Sequence, residues 1–330
     1  MKNMIFDLHC DAIWKIDLAR EKNERISLVK SDLQIDEEKL IKGEYFAQCF
    51  AVYIPNKFPN SYERCLSAID LYNEEIKKCA ALAPVTKFSD FSKNASMGKI
   101  SSILTMEDGC PIGEDMQKFH YLYGLGVRMI CLTHNLVNPI GFPNYGKYLP
   151  DGRPDYVTPN TKTGLTEFGR ELVWEMNKTG VVVDVSHLSD KGFYEVIEIS
   201  KKPIVASHSN ARAVCSSIRN LTDDMMKKLA DNGGVMGMNY AKGFLNDDKQ
   251  KGVRTIECAI EHIKYIKNKI GIEHIALGSD FDGIDRDIEL ADASMMPRLV
   301  RELEKNKFTI DEIEKITYKN ALRIFKECIN

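Results

Sequence analysis

Six side chains that commonly ligate metals close short apolar runs in this sequence. His9 and Asp11 form a His-x-Asp pair after the first run. Glu107 closes Leu104-Thr105-Met106, His187 closes Val182-Val183-Asp184-Val185-Ser186, His208 closes Ile204-Val205-Ala206-Ser207, and Asp280 closes Gly278-Ser279. Imidazole plus carboxylate suits zinc or another borderline divalent ion. Three of each are enough for two ions about 3.5–4 Å apart, with Glu107 able to bridge them through its two oxygens. Such a pair lowers the pKa of a bridging water toward about 7 and clamps the attacking and carbonyl oxygens, which is chemistry for hydrolysing a carbonyl-type substrate. Asp280 fits either a metal ligand or a proton shuttle. Asp108 and Asp282, beside Gly109 and Gly283, read as turn residues. A side-chain nucleophile is not indicated: there is no GxSxG elbow, and the nine cysteines show no partner pattern.

These residues need a scaffold that brings the ends of distant runs together. Buried-type β runs fall at 4–8, 46–54, 101–106, 127–133, 181–186, 203–207, 234–239 and 274–279. Helical periods separate or follow them at 62–82, 115–123, 167–179, 189–200, 222–231, 253–269, 295–305 and 309–326. Ser189, Thr222 and Thr309 read as N-caps, with Glu312 completing a capping box. Eight strands alternating with helices give an α/β protein with a single (β/α)8 TIM barrel over residues 1–330. No GxGxxG follows the first strand, which argues against an open doubly wound sheet. In a barrel the C-terminal strand ends form the active face, and His9, His134, His187 and His208 all stand there. His120 and His262 fall in helical patterns and His274 opens a strand, so these three read as surface or structural. The Pro-rich stretch 135–163 reads as a substrate-facing loop or lid.

Composition narrows the field. The 45 basic and 48 acidic residues give a net charge of −3, which is no footprint for nucleic acid or an anionic membrane. No apolar run approaches a membrane span, and the first residues do not read as a signal peptide. The odd, scattered set of nine cysteines points to reduced thiols in a cytoplasmic protein. Cys10, next to His9, is expected to face away from the barrel axis and pack in the core.

The chain resembles the membrane dipeptidase (renal dipeptidase) family of zinc metallopeptidases, within the amidohydrolase-like barrels. The resemblance is carried by Asp7-Leu8-His9-Cys10-Asp11, Met106-Glu107-Asp108-Gly109, Leu132-Thr133-His134-Asn135, Asp184-Val185-Ser186-His187, Ser207-His208-Ser209 with Cys215-Ser216-Ser217-Ile218-Arg219-Asn220, and Gly278-Ser279-Asp280-Phe281-Asp282-Gly283. These segments run in family order over nearly the whole chain.

The resemblance implies hydrolysis of free dipeptides at two Zn2+ ions bridged by Glu107 and a water or hydroxide. His9 and Asp11 would hold one ion, and His187 and His208 the other. His134 would touch the substrate and polarise its scissile carbonyl. Arg219 would pair with the substrate's C-terminal carboxylate. Asp280 would carry the proton from water to the leaving amine and meet the substrate's α-ammonium. A homodimer is a further implication. Two features depart from the family: Cys10 stands where many members carry Asn, and the secretion and lipid anchoring of the mammalian members have no counterpart in these residues. Other binuclear-metal amidohydrolases (deacylase, cyclic amide hydrolase, deaminase) share the barrel and metals, and a non-catalytic metal-binding barrel is the remaining alternative.

Overall fold

The computed structural model describes residues 4–145, 149–150 and 155–329. Nine parallel strands follow in chain order: β1 Ile5–Asp7, β2 Tyr45–Tyr53, β3 Leu82–Val85, β4 Ile100–Glu107, β5 Met129–Cys131, β6 Val182–Asp184, β7 Val205–Ala206, β8 Val235–Met238 and β9 Ile275–Leu277. Eight of them close a barrel in the order β2-β1-β9-β8-β7-β6-β5-β4, with β4 returning to β2 through Ala47↔Ser101 to Tyr53↔Glu107. All eight strands expected from the sequence are present; β2 and β4 are as long as expected or longer, and the other six are shorter.

The ninth, β3, corrects the helix expected over 62–82. That helix runs Ser61–Lys78, and Leu82 opens a strand instead. β3 pairs with the first half of β4 (Leu82↔Ile100 to Val85↔Ile103), while β5 takes the second half (Thr105↔Met129 to Glu107↔Cys131). It therefore fills the floor of the barrel and leaves the active rim to the other eight strands.

The barrel interior is a layer drawn from every strand. Phe6, Cys49, Val85, Ile103, Met129, Val182, Val205, Val235 and Ala276 are all buried in one cluster. Phe325 of the C-terminal helix Asn320–Cys328 plugs it from below, 5.3 Å from the ring of Phe6. A second cluster packs the helices around the outside. Cys10 belongs to that outer cluster and is fully buried, as expected.

The sequence signals for helix ends hold. Thr222 and Ser189 cap their helices, and Thr309 and Glu312 form the capping box. The helix expected at 309–326 is broken by a π turn at Lys315–Lys319.

His262 is structural, as read. It is fully buried, its Nδ1 accepts from the Ala211 amide at 3.1 Å, and its Nε2 donates to the Leu245 carbonyl at 2.9 Å. Burial pushes its pKa down to about 4. The unfolded chain takes this proton below about pH 6.5, whereas the folded chain resists until about pH 4. Stability from this group is therefore present above pH 6.5 and is lost as the pH falls, by about 2–3 kcal/mol near pH 4.5. Urea unfolding between pH 7 and 4.5 should accordingly show a steeper loss of stability than in His262→Gln. Identical slopes would show that His262 is not held neutral.

Candidate active site

The chain brings its chemistry to one end of the barrel. β1 ends at Asp7, so the His-x-Asp pair lies beyond the strand, and a turn rather than strand alternation brings His9 and Asp11 together. Cys10 forms an isolated parallel bridge to Phe281, the Asp11 amide donates to the Phe281 carbonyl at 2.8 Å, and Asp11 then stands at the N-cap position of the helix Ala12–Glu21. This turn brings His9 Nε2 to 3.4 Å from Asp11 Oδ2. Glu107 is the last residue of β4, and His187, His208 and Asp280 lie two or three residues beyond the ends of β6, β7 and β9. His187 and Asp280 turn the chain through left-handed backbone, with φ of 67° and 63°. Asp108 (φ 76°) and Asp282 (φ 69°) do the same and serve as turn residues. Asp108 accepts from the Cys110 amide and the Asn138 side chain, and Asp282 from the amides of Gln34 and Ile35.

One carboxylate oxygen is the focus of the cluster. Glu107 Oε1 lies 3.1 Å from His187 Nε2, 3.5 Å from His208 Nε2, and 3.8 Å from both His9 Nε2 and His134 Nε2. The two nitrogens His187 Nε2 and His208 Nε2 are 3.0 Å apart, and the rings of His9 and His208 stack at 3.9 Å. Asp280 Oδ1 approaches His9 Nε2 to 3.8 Å. All six predicted ligand-type residues thus converge, and His134 joins them. Its side chain is the most open of the seven, 21% exposed, against 12% for Asp280.

The donor set fits divalent metal. His9 Nε2 and Asp11 Oδ1 are buried with no hydrogen-bond partner, an arrangement that costs energy unless a cation sits there. Groups of ligand atoms close enough to share an ion are His9–Glu107–His208, Glu107–His134–His187 and His9–Asp11–Asp280. The electrostatics agree. Burial opposes charge on His9, yet Glu107 and Asp11 outweigh it and hold the imidazole pKa up at about 10. The acids therefore demand positive charge at this point. Burial pushes His187 and His208 well below the ordinary value, with the charge of Arg219 next for His187 and that of His9 next for His208, so both rings are neutral and their lone pairs are free for a metal. Gly283 backs the cluster closely: a Cβ there would lie 2.2 Å from Asp11 Oδ2 and 2.6 Å from Asp280 Oδ1.

The centre opens into a cavity of about 1040 Å³ lined by Asp11, Glu107, His134, His187, Arg219 and Asp280. Trp14, Tyr53, Leu136, Tyr156, Phe244 and Ile288 supply apolar walls. Leu136 and Tyr156 come from the loop read as substrate-facing. Its described part is tied to the barrel: Asn138 bonds Asp108, Asn144 bonds Asp190, and Pro143 bridges Leu188. Pro154 of that loop lies outside the described residues.

Arg219 is 4% exposed. Its Nε has no hydrogen-bond partner, and its Nη2 makes a long 3.4 Å contact to the His208 carbonyl. Arg212, which the sequence alone does not separate from it, is instead committed to a two-bond fork on Asp190 at 2.7 and 2.8 Å. Two site residues escaped sequence reasoning. Asn135 Oδ1 accepts from His187 Nδ1 at 2.9 Å, and Asn239 donates to Asp280 Oδ2 at 2.9 Å. Asn239 is the last residue of the run at 234–239 and Asn135 lies two residues past the run at 127–133, which was the available signal, but an amide by itself announces no chemistry.

Comparison with known proteins adds to this geometry. The family described as membrane dipeptidase (peptidase family M19) matches residues 1–330. A Schizosaccharomyces pombe protein described as an uncharacterized dipeptidase is 32% identical over 311 residues, 88% of this chain and 71% of that protein. The Aspergillus oryzae dipeptidase aclJ is 32% identical over 303 residues, 88% and 69% of the two chains. Among solved structures, a Rhodobacter sphaeroides metallopeptidase liganded with a phosphinate mimic of L-Ala-D-Ala superposes with a TM-score of 0.86. It is 24% identical, covers 99% of this chain and 100% of its own, and shares the fold.

Proposed function

The chain belongs to the membrane dipeptidase family and is a metal-dependent dipeptidase, and from that premise we propose how its residues divide the work. His9 and Asp11 would hold one ion and His187 and His208 the other, with Glu107 shared between them. We read the metal as zinc, two ions per chain, because the donors are imidazole and carboxylate with no thiolate among them. Bound there, the ions supply Lewis acidity toward the scissile carbonyl and bring the pKa of the attacking water toward neutrality. All 330 residues are read as one metal-dependent hydrolase domain. Nine unpaired cysteines, and the absence of any membrane-spanning helix among the described residues, support the reading of a cytoplasmic protein. The net charge of −3 supports a small-molecule substrate over nucleic acid, and a homodimer is the assembly read by family analogy.

The substrate is a free dipeptide. The observation that carries this is Arg219, a buried guanidinium with an unpartnered nitrogen, facing the same cavity as the ligand cluster. It calls for an anion, and a dipeptide's C-terminal carboxylate matches its two-pronged geometry. His134 stands at the open side of Glu107, where it steadies the carbonyl oxygen. Burial, with Arg219 next, lowers its pKa to about 3, so it acts as a neutral imidazole. Asp280 moves the proton from water to the leaving amine. The phosphinate dipeptide mimic held by the Rhodobacter sphaeroides relative accords with this substrate class.

The test compares free dipeptides with their C-terminal amides. A buried charge pair lost on truncation is worth about 2–5 kcal/mol. Arg219→Ala should therefore lower kcat/KM for free dipeptides by roughly 30- to several-thousand-fold. The amides, already poor substrates of the unmodified protein, should lose much less. Equal losses on both series would remove Arg219 from substrate recognition and favour another amidohydrolase activity.

A further inference from the structure

We propose that Asp184 and Ser207 are positioning residues that hold His208 in the tautomer carrying its proton on Nδ1, so that the Nε2 lone pair faces the metal centre. This rests on the reading of His208 as a ligand.

Asp184 ends β6 and is 1% exposed. Its Oδ1 accepts the amides of Ser186 at 2.9 Å and Ser207 at 3.0 Å, and its Oδ2 accepts the Ser207 hydroxyl at 2.5 Å. Three donors on one carboxylate define an acceptor. A serine hydroxyl has a single proton. With that proton committed to Asp184, the oxygen can only accept from His208 Nδ1, which lies 2.7 Å away. The imidazole proton is thereby fixed on Nδ1, leaving Nε2 bare, 3.5 Å from Glu107 Oε1. Among the described residues, besides Asp184 and His208 the hydroxyl meets only the Ser186 hydroxyl, at a longer 3.3 Å. Its residue is fully buried, and the Ser207 carbonyl packs so tightly on β9 that a Cβ on Gly278 would lie 1.7 Å from it.

A comparison within the molecule isolates the role. Asp7 and Ser279 repeat the bonding: Asp7 Oδ1 accepts the Ser279 amide at 2.8 Å, and Oδ2 accepts the Ser279 hydroxyl at 2.5 Å. The Ser279 hydroxyl otherwise meets only backbone, the His9 carbonyl and the Phe281 amide. That pair pins the chain, whereas the Asp184–Ser207 pair ends on an imidazole. His187 is oriented differently, by the half-buried Asn135 of the substrate-facing loop. The two neighbouring imidazoles thus rest on unlike supports.

Asp184→Asn separates tautomer control from simple packing. The amide oxygen can still accept the two backbone donors, which turns its NH2 toward Ser207. The hydroxyl then accepts from Asn, and its proton turns to His208 Nδ1 at 2.7 Å, the nearer of its two remaining partners, Ser186 Oγ being at 3.3 Å. That forces the imidazole proton onto Nε2, where it blocks the lone pair, while the shape of the site is unchanged.

The experiment titrates metal-free protein with Zn2+ against a chromophoric chelator and follows Co2+ substitution by its visible spectrum. Groups that orient a metal-bound imidazole typically contribute 10- to 100-fold in affinity. Asp184→Asn and Ser207→Ala should each weaken one ion by that factor and alter the Co2+ spectrum, and Ser207→Thr, which keeps the hydroxyl, should recover most of the affinity. The double variant should be no weaker than the worse single, because both act through one proton. Wild-type affinity in Asp184→Asn, or fully additive losses in the double variant, would overturn the proposal. His208→Ala is the reference for the ligand reading itself. If it leaves zinc binding untouched, that reading fails and the positioning role fails with it. If it weakens binding while Asp184→Asn and Ser207→Ala do not, only the positioning role fails. Circular dichroism of each metal-free variant reports folding, and should Ser207→Ala not fold, Asp184→Asn carries the decision alone.

Discussion

Glu107→Gln is expected to lower kcat/KM for free dipeptides by on the order of 10³-fold or more and to deplete the protein of metal. Four imidazole nitrogens lie within 3.8 Å of a single Glu107 oxygen. Glutamine fills the same space but removes the charge, and it turns either a weaker acceptor or a donor toward nitrogens that need a cation. Metal ions contribute several kcal/mol of charge stabilisation in hydrolysis, and each 1.36 kcal/mol is tenfold in rate. Steady-state kinetics with excess zinc, beside elemental analysis of the purified variant, check this. Chelated wild-type protein should lose activity in the same way and regain it when zinc is returned. A Glu107→Gln protein with full metal and full activity would remove Glu107 from the centre.

Asp280→Asn should cost about 10²–10⁴-fold in kcat, the range of a positioned general acid–base, with metal content unchanged. On the proposed division, five residues with Glu107 shared would give each ion three protein ligands, the usual number for a catalytic zinc with an open position. Asp280 is then free for proton transfer. Without metal, burial, with Asp11 assisting, raises its pKa to about 6, and the neighbouring ions would draw it down again. Asn239 holds Oδ2 and leaves Oδ1 toward His9. The competing assignment is also concrete, since Asp280 Oδ1 lies near enough to His9 and Asp11 to share an ion with them. Metal analysis decides between the two. If Asp280→Asn loses one ion and activity falls in proportion, Asp280 is a ligand and the proton must travel elsewhere.

Much of this site was legible in the sequence because a parallel barrel buries its strands on both faces. A polar residue that closes an apolar run there has few places to go but the catalytic rim. His9, Glu107, His187, His208 and Asp280 are all of this kind. Other parts depend on register and partners. β3 is a four-residue strand containing Pro84, closely following a long helix, and its first residue, Leu82, read as the end of that helix while the rest showed no strand signal. The Asp184–Ser207 pairing exists only because β6 and β7 run side by side with Asp184 opposite Val205. Arg212 and Arg219 are alike as letters. What separates them is Asp190, which satisfies one and leaves the other wanting an anion.

The left-handed backbone at His187 and Asp280 bears on how this rim tolerates change. Few side chains enter that conformation readily; asparagine, aspartate and histidine are several-fold enriched there, and β-branched residues are strongly disfavoured. Main chain and chemistry thus draw on the same short alphabet at these two positions. Substitutions that discard the functional group mostly add conformational strain as well, so loss of function and loss of stability should travel together. Asparagine and glycine are the exceptions, the residues through which the rim can drift toward new chemistry without first unfolding.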